Sequence, residues 1–154
     1  ANKFRFDEHF NIGDDLEVNF RLRLNGYKFI YVPSAIVYHR RPRSLKSLAS
    51  KSKTYAKAAA KVTKKFRKLP RWYTIIPSIM FVCISLFPIL YLVNTKFLSV
   101  YFSFIVIYIL LLTISVIQVY LTTKTAKSLL TFVVLPIQHF YYGYGYIYEM
   151  IRGS

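Results

Sequence analysis

The stretch GDDLEVNFRLRLNGYKFIYV, residues 13–32, admits two incompatible secondary structures. Leu16, Val18, Phe20, Leu22 and Leu24 alternate with polar residues at a period of two, and Asn25-Gly26 follows them. That pattern predicts a β-hairpin closed by a type I′ turn, with YKFIYV as the returning strand. The competing reading starts a helix at Asp14 or Asp15, acids suited to a helix N-terminus, and stops it at Gly26 as the C′ residue. Leu16, Phe20 and Leu24 would then share one stripe. Local pattern favours the hairpin. Tyr27–Val32, and Ala35–His39 after the Pro33 turn, carry the β-branched and aromatic content of strands.

Outward from this stretch the charges segregate. Five of the six acidic residues lie between Asp7 and Glu17, and no acid stands between Glu17 and Glu149, although Lys and Arg continue throughout. Soluble surfaces usually mix both signs, so a carboxylate cluster beside a basic, increasingly apolar remainder suggests an active-site edge set against a membrane. Residues 72–95 and 97–123 are uncharged, and 128–148 are too apart from His139. About 20 apolar residues cross the hydrocarbon core, so the first two stretches qualify. The third contains Pro136, Gln138, His139 and a run of tyrosines, and reads as a third span or an interfacial segment. The expected spans are about 73–94, 98–121 and 129–150.

The formal net charge of +16 fits nucleic acid, anionic lipid or a topogenic signal. Thirteen Lys and Arg fall between Arg40 and Arg71, directly before the first apolar stretch. Basic residues there hold that side in the cytoplasm and attract anionic headgroups. No nucleic-acid recognition motif accompanies them, so membrane lipid rather than nucleic acid is the expected partner. The reading is therefore a multi-pass cell-membrane protein with its polar N-terminal part cytoplasmic. The single cysteine, Cys83, excludes an internal disulfide. Residues 44–69 read as a basic amphipathic helix on the membrane surface, with Leu45, Leu48, Ser52, Tyr55, Ala59, Val62, Phe66 and Leu69 on its seam. Pro42 and Ser44 supply its start and Pro70 its end.

The residues Phe6-Asp7-Glu8, Gly13-Asp14-Asp15, Glu17, Arg21, Gly26-Tyr27, Pro33, Ala35, Val37 and His39 together resemble the end of the catalytic domain of a family 2 glycosyltransferase. Asp14 stands where Glu is usual and Glu17 where Asp is usual, so charge is kept. The continuation RPRSLKSL, the basic helix, the apolar spans and the final HFYYGYGY resemble the membrane-associated, succinoglycan-type branch of that family. The resemblance implies an α/β fold: residues 1–43 would be the C-terminal part of a GT-A nucleotide-diphospho-sugar transferase domain. Residues 44–70 would be an interfacial helix, and 71–154 two to three transmembrane helices. It also implies that the helix, not the hairpin, begins at the acid pair. The donor-binding half, with its Asp-x-Asp motif, would lie upstream of Ala1, leaving this piece inactive alone.

The same resemblance implies inverting transfer from a nucleotide-sugar donor to a polyprenyl-phosphate-linked or glycan acceptor, with a divalent cation, Mg or Mn. Asp15 matches the catalytic base, which takes the proton of the attacking acceptor hydroxyl. A helix N-terminus favours negative charge there and fixes its direction. Asp14 would support Asp15 or orient the acceptor, Glu17 would belong to the substrate-binding set, and Asp7 and Glu8 would shape the acceptor loop. Arg21 would contact a diphosphate or pair with Glu17 at i, i+4. His39 would ligate the cation, or with Arg40 and Arg41 touch the leaving diphosphate. A non-enzymatic basic membrane protein that binds anionic lipid or a partner subunit is the alternative from a different class.

Overall fold

The computed structural model describes residues 5–8, 10, 12–38, 42–68, 72–94 and 96–152. Among these residues five helices follow one another: α1 Asp14–Leu24, α2 Leu45–Phe66, α3 Ile76–Val93, α4 Phe97–Thr123 and α5 Thr131–Ile151, with short 3₁₀ turns at Trp72–Ile75 and Ala126–Leu130. No strand occurs among the described residues. The α/β, GT-A expectation is overturned by this all-helical architecture.

The hairpin fails at Asn25-Gly26. Asn25 is the C-cap of α1, and Gly26, at φ +83°, supplies the left-handed C′ residue. The Gly26 amide donates to the Arg23 carbonyl and the Tyr27 amide to the Leu22 carbonyl, a Schellman closure. The Asn25 side-chain amide caps the Arg21 carbonyl as well, at 2.8 Å. The same two residues that suit a type I′ turn thus end a helix. Tyr27–Val32 and Ala35–Tyr38 remain irregular and largely exposed, Ile30 at 87% and Tyr38 at 95%. β-propensity expresses packing on a pleated surface beside a neighbour, and no second strand among the described residues offers one.

Helix α2 has local reasons to form. Alanines with high helix propensity fill its middle, and the Ser44 hydroxyl caps its start by accepting from the Ser47 amide at 3.1 Å. It ends at Arg67 in the left-handed region. Its buried face is built from small residues, Ala56, Ala59 and Ala60, packed on Tyr146 of α5, whose hydroxyl reaches Thr63 Oγ1 at 3.0 Å. Leu45 and Tyr55, placed on the seam by sequence spacing, are about half exposed.

Two glycines set the spacing around α5. A Cβ on Gly145 would lie 2.6 Å from the Lys53 carbonyl oxygen of α2. A Cβ on Gly143 would collide with the Pro77 carbonyl and Phe81 of α3. Positions two apart on a helix face nearly opposite sides, so Gly143-Tyr144-Gly145 lets α5 fit between α2 and α3. Small residues at such crossings allow close backbone approach. The tyrosines around them receive the basic side chains of α2. Lys53 Nζ lies 4.7 Å from the Tyr144 ring centroid, and Lys57 Nζ 4.8 Å from that of Tyr148. Such cation–π contacts each contribute about 0.5–1 kcal/mol when exposed.

Trp72–Leu92 and Phe97–Thr123 are long and apolar enough to cross a membrane, and only 12% and 11% of their most apolar windows are buried. A core helix of a water-soluble protein would hide most of that surface, whereas hydrocarbon accepts it directly. Pro77 opens α3, where its missing N–H costs nothing. Trp72 and Tyr73 stack edge-on just before it, an aromatic pair of the kind found at a membrane interface. The third apolar stretch forms α5, which packs on α2 and α3 and is less apolar than α3 and α4.

Replacing Gly145 by Leu should therefore force α2 off α5. The expected cost is about 1–3 kcal/mol, read as a lower thermal midpoint in detergent. Leu at Gly26, where no atom lies within 4 Å, should cost only the roughly 1–2 kcal/mol of left-handed backbone.

Candidate functional site

Helix α1 begins where Gly13 adopts φ +82°, and a Cβ there would strike Ala58 of α2. Glycine at this position lets the first turn of α1, with its acid pair, press directly on α2. The Asp15 carboxylate is exposed, and its Oδ1 accepts the Leu16 amide at 2.8 Å, which fixes the direction of the group. Asp15 opens onto a cleft of about 350 Å³. Leu16, Tyr55 of α2, Tyr73 and Thr74 of the turn preceding α3, and Tyr142 of α5 help to line it. Four separate elements thus converge on one carboxylate, at the point where the chain enters its first membrane-length helix.

The other acids face elsewhere. Glu17 is two residues from Asp15 and points to nearly the opposite side of α1. It is fully buried, and Lys65 Nζ donates to its Oε1 at 2.6 Å and to Asp7 Oδ2 at 2.7 Å. Arg21 closes the cluster: its Nε and a terminal nitrogen donate to the two Glu17 oxygens at 3.1 and 3.2 Å, and it also donates to the Arg5 carbonyl. Phe10 and Phe66 flank Lys65, and Phe20 meets Phe66 edge-on at 5.3 Å. A buried carboxylate is tolerated only when paired and hydrogen-bonded. Here those conditions tie α1, the Asp7 segment and α2 together. Glu8 pairs with Arg5 at 3.1 Å on the open surface, where an ion pair contributes little. Asp14 is half-buried beside Asp15.

The structure therefore separates the residues that sequence pattern grouped. Asp15 belongs to the cleft, whereas Asp7, Glu17 and Arg21 meet at a clamp on the far side of α1. His39, Arg40 and Arg41 lie outside the described residues. Sequence reasoning missed Lys65, one of many lysines on α2, and the tyrosines Tyr55, Tyr73 and Tyr142, which are far apart in the chain.

A divalent cation needs several oxygen or imidazole ligands converging on one point. Among the described residues no three His, Cys, Asp or Glu side chains come together. Asp7 and Glu17, which do approach each other, already hold the Lys65 ammonium between them. These side chains do not fit a metal site.

Partial burial alone lowers the Lys65 pKa, but hydrogen bonds and charge from Asp7 and Glu17 outweigh it, and the net value is raised above the ordinary 10.5. A lysine with a raised folded value stabilises fully below its unfolded pKa and loses that contribution as pH rises through the folded one. Stability from this clamp should thus be constant from neutrality to about pH 10 and fall beyond it. Lys65→Met should cost about 1–3 kcal/mol by leaving Glu17 one donor short. It should also remove the alkaline loss, which is measured as the thermal midpoint against pH.

A family model described as "Glycosyl transferase family group 2" matches residues 2–146. No curated protein and no solved structure matches the chain.

Proposed function

The chain belongs to glycosyl transferase family group 2, and from that premise we propose that it takes part in inverting transfer of a sugar from a nucleotide donor to a lipid-linked acceptor at the cytoplasmic face of the membrane. The observation that carries this reading is the placement of Asp15 in a cleft shared by α1, α2, α5 and the aromatic turn that leads into α3. An acceptor held in the membrane would present its head at that level.

Asp15 acts as the base. An acceptor hydroxyl gives its proton to the carboxylate as its oxygen attacks the anomeric carbon, and the nucleoside diphosphate leaves from the opposite face. The Leu16 amide holds the carboxylate in one orientation, so little reorganisation is needed at the moment of transfer. Asp14 orients the acceptor or supports Asp15. Tyr55, Tyr73 and Tyr142 give the cleft aromatic walls with polar tips, which suit a sugar or a phosphate head at an interface. Arg40 and Arg41 would meet the leaving diphosphate, guanidinium being matched to phosphate oxygens. Family 2 glycosyltransferases commonly use a divalent cation; His39 remains the proposed ligand on this chain, and no step is assigned to the metal.

The clamp is what makes the site usable. Without the Glu17–Lys65 pairing, α1 would rely on its contacts at Gly13 and Leu16 and on Phe20 against Phe66 to hold Asp15 at the cleft. The basic face of α2 adds attraction to anionic headgroups, about 1 kcal/mol for each lysine near the surface.

Membranes carrying the full-length gene product with Asp15→Asn should lose about 10²–10⁴-fold in sugar transfer, the usual range for a general base. Membrane insertion and the thermal midpoint should be unchanged. Full turnover in that variant would remove Asp15 from the mechanism. Glu17→Gln is expected to behave differently, with transfer and stability falling together.

A further inference from the structure

A second cavity, of about 260 Å³, lies between α3, α4 and α5. Met80 and Leu112 are buried at its floor, while Ile79, Ile107 and Leu111 form walls that stay more than half exposed. It is a groove open to its surroundings, and in a membrane those surroundings are hydrocarbon. Water in such a place would find few polar partners.

The groove neighbours the Asp15 cleft on two elements at once. On the entry to α3, Tyr73 and Thr74 line the cleft, and the groove begins two residues later at Ile76 and Pro77. On α5, Tyr142 lines the cleft, whereas His139 and Leu135 line the groove. Leu135, His139 and Tyr142 are four and three residues apart, so they share one helical face, and about 10 Å of α5 covers both cavities. At the boundary His139 Nδ1 and the Tyr108 hydroxyl share a hydrogen bond of 3.1 Å. That pair satisfies two of the polar groups on the groove wall, and the Ser115 hydroxyl donates to the Leu111 carbonyl of its own helix. The surface thus changes from an acid among tyrosines to aliphatic side chains within two turns.

We propose that the groove holds the first part of the acceptor's hydrocarbon chain, so that cleft and groove together bind one amphipathic lipid: its phosphate-sugar head at Asp15 and its chain between α3, α4 and α5. The proposal rests on the reading of Asp15 as the acceptor site. It adds that acceptor choice is made partly inside the membrane, by chain rather than by sugar. A bulk phospholipid would have no reason to place its headgroup at Asp15, so the commitment is to the acceptor lipid.

The test uses the full-length gene product in native membranes with a polyprenyl phosphate bearing a diazirine near its head. Photolabel should concentrate on the α3 and α4 peptides that contain Ile79, Ile107 and Leu111. Ile107→Trp, a substitution at an exposed wall that threatens folding least, should reduce it. A phosphatidylglycerol with the same diazirine should label lipid-facing positions evenly and ignore the substitution. With a long-chain acceptor Ile107→Trp should raise KM at least about tenfold, equivalent to about 1.4 kcal/mol, and leave a short-chain, water-soluble analogue unaffected. Leu111→Trp provides an independent second variant. Equal labelling by both probes, or equal loss of long- and short-chain activity, would overturn the groove. Asp15→Asn separates the two ideas: groove labelling retained with turnover lost supports both, and groove labelling retained with turnover intact would dismiss the base while keeping the lipid site.

Discussion

One buried carboxylate holds the polar part of this protein together. Glu17 has no exposed surface, and its charge is met by Lys65 from α2 and Arg21 from its own helix. Without the lysine Glu17 would keep Arg21 alone for its buried charge, so Lys65 strengthens the hold of α2 on α1 that Gly13 and Phe20 also provide. Helix α2 is in turn fixed to α5 by alanines, by Gly145 and by lysines lying over tyrosines. Through that chain of contacts the position of Asp15 is referred to the helices of membrane-spanning length.

The opposite orientations of Asp15 and Glu17 give the acid cluster its division of labour. Two residues along a helix turn the side chain to nearly the opposite face. One acid is therefore spent on holding α1, and the other is left at a cleft. Burial, rather than proximity in sequence, distinguishes them.

Part of this was legible in the chain itself. The membrane-length segments announce themselves through length and lack of charge. Ser44 has the chemistry of a helix start, and the acid pair at Asp14-Asp15 that of another. The family was legible too, in the spacing from Phe6 to His39, and the match over residues 2–146 shows it. The fold class was not. Asn25-Gly26 serves a hairpin and a Schellman closure equally well by local pattern; the family resemblance points to the helix, and the helix hydrogen bonds show it. The strands expected at Tyr27–Val32 and Ala35–His39 require a neighbour that no other described segment provides. The pairing of Glu17 with Lys65 joins residues 48 apart in the chain, so no local pattern carries it. Gly143 and Gly145 look like interruptions in a tyrosine run until the helices on either side are in place.

Packing on α2 sets Asp15 beside the turn that leads into α3, and the proposed function puts that turn at the membrane surface. The direct measurement is the immersion depth of a nitroxide on Asn19, an exposed residue one turn beyond Asp15 on α1. It would be compared with a nitroxide on Trp72 in a background with Cys83 replaced by Ser. In reconstituted bilayers both labels should report the headgroup region, and Lys65→Met should release the Asn19 label towards water while leaving the Trp72 label in place. An Asn19 label that sits in bulk water in the unaltered clamp would contradict the account.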